Sequence, residues 1–318
     1  MSAAKTALVF SGQGAQKAGM GKALYEAYPA FKAVFDRADA TLGRPISRIC
    51  FEDIRDANGA LELDKTENCQ PAILTMSMAC LELARGLSLE PCCLAGLSLG
   101  EYSALTASGA FDFETAVKLV EARGRLMGEA CARTAGVMSA IFNLSREKTE
   151  QACEMASEAG YAACANYNME GQIVIGGEEA AVAKAEAYAL ELGAKRAARL
   201  NVSGAFHTEL MRPAAEAFAA YLEAAEIKDM SVPVYANVTG ELYKSADEVR
   251  PVLARHITAP VEWERIMLGM IAGGVTHVIE LGCGRALASF FAKTDRNLRV
   301  FNIDDISGFE KVKAAFGG

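Results

Sequence analysis

A chain of 318 residues, 52% hydrophobic and with a net charge of −8, has room for about one or two domains around a sizeable core. Its acidic balance argues against nucleic acid and anionic membrane as partners, because neither is drawn to a negative surface. The nine cysteines are odd in number and show no C-x-x-C spacing, which speaks against a disulfide framework or a zinc site and for small buried thiols in a reducing compartment.

The first predicted element is a strand over 6–10, ending in the loop Ser11-Gly12-Gln13-Gly14-Ala15-Gln16. This apolar run is too short for a signal-peptide core, and no uncharged stretch reaches the roughly 18 residues of a membrane span, so a soluble cytoplasmic protein is expected. Amphipathic helices are predicted near 21–40 and 70–86. The apolar run 92–95 then leads into Gly96-Leu97-Ser98-Leu99-Gly100, and helices follow near 100–108 and 112–130. From about Gly136 the order becomes strand 137–142, helix 146–159, strands 161–167 and 172–176, helix 178–192 and strand 195–200. That is the β-α-β-β-α-β succession of a ferredoxin-like unit. Strands at 232–236, 276–281 and 299–303 resume the earlier alternation. The predicted fold class is α/β with a largely parallel sheet. The small unit, 134–203, reads as inserted into a discontinuous larger one formed by 1–133 and 204–318.

Gly96 to Gly100 reads as strand, sharp turn and helix, with one serine at the turn. Residues without Cβ let the crowded flanks approach, and Ser98 stands at a helix start, where unpaired N–H groups favour developing negative charge. Ser98 is therefore a candidate acyl-transfer nucleophile; the alternative is a helix cap in a glycine-rich chain. A serine hydroxyl needs a base, and the chain has three histidines. His277 lies in an apolar strand and reads as packed core. His256 ends a polar helix over 247–256 and reads as a surface or helix-end charge. His207, in the turn-rich loop Ser203-Gly204-Ala205-Phe206-His207-Thr208, is the candidate base.

Five motifs now stand in order: Gly12-Gln13-Gly14-Ala15-Gln16, Gln70-Pro71-Ala72, Gly96 to Leu105, Val120-Glu121-Ala122-Arg123-Gly124 and Gly204-Ala205-Phe206-His207. Together they resemble the malonyl-CoA:acyl carrier protein transacylases of bacterial fatty-acid synthesis, along essentially the whole chain. The resemblance implies an α/β-hydrolase-like large subdomain and an active site between it and the ferredoxin-like one. It implies that Ser98 takes the malonyl group from malonyl-CoA with His207 as base, that the backbone N–H groups of Gln13 and Leu99 hold the oxyanion, and that the phosphopantetheine thiol of acyl carrier protein accepts the acyl group. No cofactor or metal is implied, and a monomer is expected.

The same resemblance makes Arg123 the clamp for the malonyl carboxylate, against the alternative of a helix salt bridge near Lys118, Glu121 and Arg125. It places Phe206 beside the acyl α-carbon, and Gln70 and Asn168 among the substrate-binding positions, with Asn166 nearby. Arg196 matches an arginine associated with the CoA phosphates, within a basic run, Lys195, Arg196 and Arg199, that also suits an acidic carrier protein. No acid completes a triad; the resemblance assigns the support of His207 to a backbone carbonyl at Glu262. Leu97 stands where many relatives have histidine, and Cys283 where the family has proline. A hydrolase on the same elbow, a polyketide-pathway malonyltransferase and a non-catalytic carrier-protein docking module remain alternatives. At 318 residues, with no fused synthase segment, a free-standing enzyme of a dissociated pathway is expected.

Overall fold

The computed structural model describes residues 5–87 and 89–317. Its strands are β1 (Thr6–Phe10), β2 (Pro91–Gly96), β3 (Val137–Phe142), β4 (Ala162–Met169), β5 (Gln172–Gly177), β6 (Arg196–Arg199), β7 (His277–Leu281) and β8 (Arg299–Ile303). They form two sheets, ordered β2-β1-β7-β8 and β4-β5-β3-β6. The first is wholly parallel, with Phe10 opposite both Gly96 and Leu281 and Leu281 opposite Ile303. A parallel sheet is covered on both faces, and the alternation in β1 shows it: Leu8 and Phe10 pack with the helix Thr66–Arg85, while Ala7 and Val9 pack with Trp263, Met267 and Phe291.

The second sheet is antiparallel, with Ile141 facing Ile173 on one side and Ala197 on the other. Helices Arg146–Met155 and Glu179–Glu191 supply Ala152, Cys153, Val182 and Ala185 to its own core with Ile141 and Ile175. The antiparallel sheet is fastened to the segment before the helix Trp263–Ala272 by a parallel bridge, where Tyr167 N–H donates to Val261 O (2.8 Å) and Val261 N–H donates to Ala165 O (2.9 Å).

Several predicted elements take a different form. The helix near 21–40 is two, Lys22–Ala27 and Pro29–Leu42, because Tyr28 before the proline is held extended at φ −125°. The helix predicted from 70 begins a turn earlier, at Thr66, and carries Pro71 inside. Pro71 cannot donate to Glu67 O, and Arg44 Nη2 donates to that carbonyl instead, at 3.0 Å. The strand expected over 232–236 reduces to two isolated bridges, Val234 with Leu94 and Tyr235 with Leu242. Pro233 there has no N–H to extend a ladder. His277, read as core, is half-buried at the start of β7 with its ring stacked parallel to that of Phe301. Among the described residues no helix is long and apolar enough to cross a membrane.

Candidate active site

The carboxyl ends of β1 and β2 lie side by side, and the chain reverses sharply after each. After β2 the reversal is so tight that a Cβ on Gly96 would lie 2.0 Å from Gly100 C, and one on Gly100 would lie 2.2 Å from Phe10 O. Ser98, at the apex, is held at φ 52° and ψ −108°, a strained conformation for a residue with a side chain. Its hydroxyl caps nothing; the helix Leu99–Ala107 starts without a side-chain cap. Asn237 pins the turn instead, accepting from Ser98 N–H at 2.6 Å and donating through Nδ2 to Gly96 O at 2.7 Å.

Ser98 Oγ lies 2.7 Å from His207 Nε2. On the other side of the ring, Nδ1 lies 2.9 Å from His256 O and 3.2 Å from Ala259 O. Carbonyls only accept, so Nδ1 carries the proton and Nε2 is left to accept from Ser98. His207 is also strained, at φ 59°, and buried. Burial, followed by the neighbouring His256 and Arg123, pushes its pKa well below the ordinary imidazole value, against the pull of the two carbonyls. The neutral, base-ready form is the resting state at neutral pH.

Arg123 comes from the helix Phe113–Arg133, which packs on Thr66–Arg85 so closely that a Cβ on Gly124 would lie 2.4 Å from Thr66 O. Its side chain is 1% exposed. Nη1 donates to Gln70 Oε1 at 2.7 Å, and Nη2 lies 3.3 Å from Ser98 Oγ and 3.5 Å from His256 Nδ1. Its Nε has no hydrogen-bond partner, and no carboxylate of the described residues is within ion-pair distance of it. The helix salt bridge is thereby ruled out: Glu121 pairs with Arg44 and Arg125 with Glu129. Desolvation lowers the pKa of this guanidinium, the mark of a buried charge short of compensation.

Gln70 also donates through Nε2 to Thr66 Oγ1, which donates to Gln13 Oε1, both at 3.0 Å. The Gln13 side chain is thus linked to Arg123 through two buried polar groups. Among the described residues no protein acceptor takes the backbone N–H of Gln13 or of Leu99. A cleft of about 2070 Å³ has Gln13, Thr66, Ala122 and Ser203 in its wall, with Lys118 and Arg125 among its basic residues. Among the described residues no group of three His, Cys, Asp or Glu side chains is arranged to hold a metal ion.

The chain as a whole is matched by known proteins. The acyl transferase domain family matches residues 7–297. The malonyl CoA-acyl carrier protein transacylase of Bacillus subtilis is 43% identical over 302 residues, covering 95% of this chain and 94% of that protein. The chain is a member of this transacylase family. The family's Escherichia coli K12 protein is 39% identical over 282 residues, 88% of this chain and 90% of that one. The crystal structure of the Clostridium perfringens malonyl CoA-acyl carrier protein transacylase agrees with a TM-score of 0.93 at 40% identity, covering 98% of this chain and 97% of the other. A structure of a type II PKS acyl-carrier protein in complex with its malonyl-transacylase agrees at 0.90 and 35% identity, over 98% and 99% of the two chains. The chain is an acyltransferase.

Within this frame Ser98, His207, Arg123 and Gln70 are brought together by the contacts above, and Leu99 and Gln13 flank Ser98 on the two reversals. Phe206 is buried next to His207, and Asn166 and Asn168 are buried on β4. Asn166 lies at the bridge to Val261, and Asn168 falls at an irregularity in the β4–β5 register. Arg196 is exposed on β6, with its guanidinium 4.3 Å from the Phe142 ring centroid. Arg199, in the same basic run, is neutralised by Glu179 and Glu186.

Two readings are corrected. The carbonyls that hold His207 belong to His256 and Ala259, not Glu262. Glu262 turns its carboxylate away to a two-pronged pair with Arg146 at 2.8 and 2.9 Å, while Arg146 stacks over Tyr167. His256 is no surface charge; it is fully buried against Tyr102 and His207. Asn237 and the buried Glu101 also hold the site together. Glu101 accepts from Asn237 N–H at 2.9 Å and from the Tyr243 hydroxyl. Glu101 stood inside the Gly96 to Leu105 motif, but nothing in that motif marked its carboxylate as buried.

Proposed function

We propose that the chain transfers the malonyl group from malonyl-CoA to the phosphopantetheine thiol of acyl carrier protein by a ping-pong mechanism, supplying fatty-acid elongation. The observation that carries this reading is Arg123: a buried guanidinium without a carboxylate partner, 3.3 Å from the hydroxyl of Ser98. In malonyl-CoA the free carboxylate stands two carbon–carbon bonds from the thioester carbonyl. A clamp for it must therefore sit beside the nucleophile, and a planar guanidinium can take it through two charge-assisted bonds.

Ser98 Oγ attacks the thioester carbonyl as its proton passes to His207 Nε2, and the tetrahedral oxyanion is held by the N–H groups of Gln13 and Leu99. The C–S bond breaks, His207 returns the proton to the CoA thiolate, and malonyl-Ser98 remains. The carrier-protein thiol then gives its proton to His207 and attacks the ester, and Ser98 leaves with that proton. His256 O and Ala259 O fix the imidazole tautomer that a carboxylate fixes in a triad, without supplying a full charge. Phe206 crowds the acyl α-carbon and favours malonyl over branched units. Arg196 and Lys195 are exposed and free of acidic partners among the described residues, which suits CoA phosphates and an acidic carrier protein. Gln70 orients Arg123, and Asn168 is assigned to substrate binding on the family resemblance.

Ser98, His207 and Arg123 come from one chain, which supports a monomeric catalyst. We assign 1–133 and 204–318 to the large subdomain and 134–203 to the inserted one, on the strength of the two separate sheets. Nine unpaired cysteines, six of them buried, suit the cytoplasm. No cofactor enters the scheme.

Replacing Arg123 with alanine tests the reading. The expected result is a fall in malonyl transfer of about 100-fold or more, the cost of losing a paired charge, with acetyl transfer spared or raised. An unaltered malonyl-to-acetyl preference in steady-state assays refutes the clamp.

A further inference from the structure

A buried guanidinium needs compensation, yet a carboxylate set directly on Arg123 would occupy the place its substrate must take. The structure puts the carboxylate one ring away. Arg123 Nη2 lies 3.5 Å from His256 Nδ1, and Nε2 of the same imidazole lies 3.2 Å from Glu101 Oε2, off the ideal hydrogen-bond line. A guanidinium can only donate, so Nδ1 accepts and the ring proton sits on Nε2, the nitrogen that faces Glu101. Burial lowers the His256 pKa, Glu101 opposes the shift and Arg123 adds to it, so the ring rests neutral.

Every member of this row is immobilised. Glu101 is fixed by Asn237 N–H and the Tyr243 hydroxyl. The His256 ring packs edge-on against Tyr102 and His207, and the Arg123 guanidinium lies 5.5 Å from the Tyr102 ring centroid. We propose that His256 is a positioning residue for substrate choice: a neutral imidazole spacer, protonated on Nε2, through which Glu101 compensates and orients Arg123 while the guanidinium fork stays open to the malonyl carboxylate. The proposal rests on reading Arg123 as the carboxylate clamp. It gives the His256 side chain a task separate from that of its backbone carbonyl, which holds His207 and survives any side-chain replacement.

The test compares kcat/KM for malonyl-CoA with that for acetyl-CoA in the full-length wild type, His256→Leu and His256→Gln. Leucine removes both polar ends of the spacer; glutamine keeps a neutral side chain with one acceptor and one donor. His256→Leu is expected to lower the malonyl-to-acetyl ratio at least about tenfold, the loss of one hydrogen bond to a charged group, mainly through a raised KM for malonyl-CoA. His256→Gln is expected to restore most of it. A ratio that His256→Leu leaves unchanged, or that both variants lower equally, overturns the spacer role. If melting shows that the leucine variant does not fold, His256→Met is judged by the same criterion. A wild type without malonyl preference overturns the clamp itself, and is thereby told apart from a failure of His256 alone.

Discussion

The surroundings of His207 suit the base role proposed for it, because they oppose its protonation. Burial and two neighbouring side chains, His256 and Arg123, all lower its pKa, while the carbonyls of His256 and Ala259 pull weakly the other way. The catalytic form is the neutral ring, so acylation of Ser98 is expected to persist as pH falls through about 6.5, the usual imidazole value, and to fail only below it. The pH profile of the malonylation rate checks this, and an acid limb centred at or above 6.5 contradicts it. The sign for stability is the same: the unfolded chain takes up the proton more readily, so the contribution of His207 is present above about 6.5 and is lost on acidification. None of this was legible in the sequence. His207 could be chosen from three histidines by its loop, but the carbonyls that set its tautomer are backbone atoms 49 and 52 residues away and leave no side-chain trace. His256 was misread for a related reason. A helix-end histidine looks solvated until Tyr102 and Glu101 are folded against it.

At the scale of elements, the site depends on how closely backbones approach. The elbow places Ser98 because Gly96 and Gly100 bring β2, β1 and a helix start together, and that much was readable from the G-x-S-x-G spacing. Gly124 does for Arg123 what those glycines do for Ser98, since it lets the helix Phe113–Arg133 seat on the helix Thr66–Arg85. Gly124→Ala is expected to destabilise the fold by about 1–3 kcal/mol, the usual cost of overpacking, and to weaken malonyl preference by shifting Arg123. Chemical denaturation alongside malonyl and acetyl kinetics measures both; a variant of wild-type stability and selectivity would show that the contact has slack. Where the sequence misled, proline was the cause. Pro71 resembles a helix start because it suits a first turn, yet Arg44 from a distant loop satisfies the carbonyl it strands. Pro233 is spaced like a strand residue but cannot donate to a ladder.

At the scale of the molecule, the parallel sheet carries Ser98 and the proposed oxyanion donors, while the segment between His256 and Glu262 carries the carbonyls behind His207. That segment is fastened to the antiparallel sheet by the Val261 bridge and the Arg146–Glu262 pair. The alternation of strands and helices announced both sheets, and the order of motifs announced the reacting side chains. That fastening was hidden, because a single bridge and one ion pair have no periodicity to read. The backbone carbonyl of Glu262 was placed behind His207, where those of His256 and Ala259 stand. What the assembled site should do is capture an acyl group and keep it from water until a thiol arrives. The most direct measurement is intact-protein mass spectrometry after incubation with malonyl-CoA and no carrier protein. The wild type should gain one malonyl group that persists until a carrier thiol is added, and Ser98→Ala should gain none; a labelled alanine variant, or steady release of free malonate from the wild type, would contradict the account.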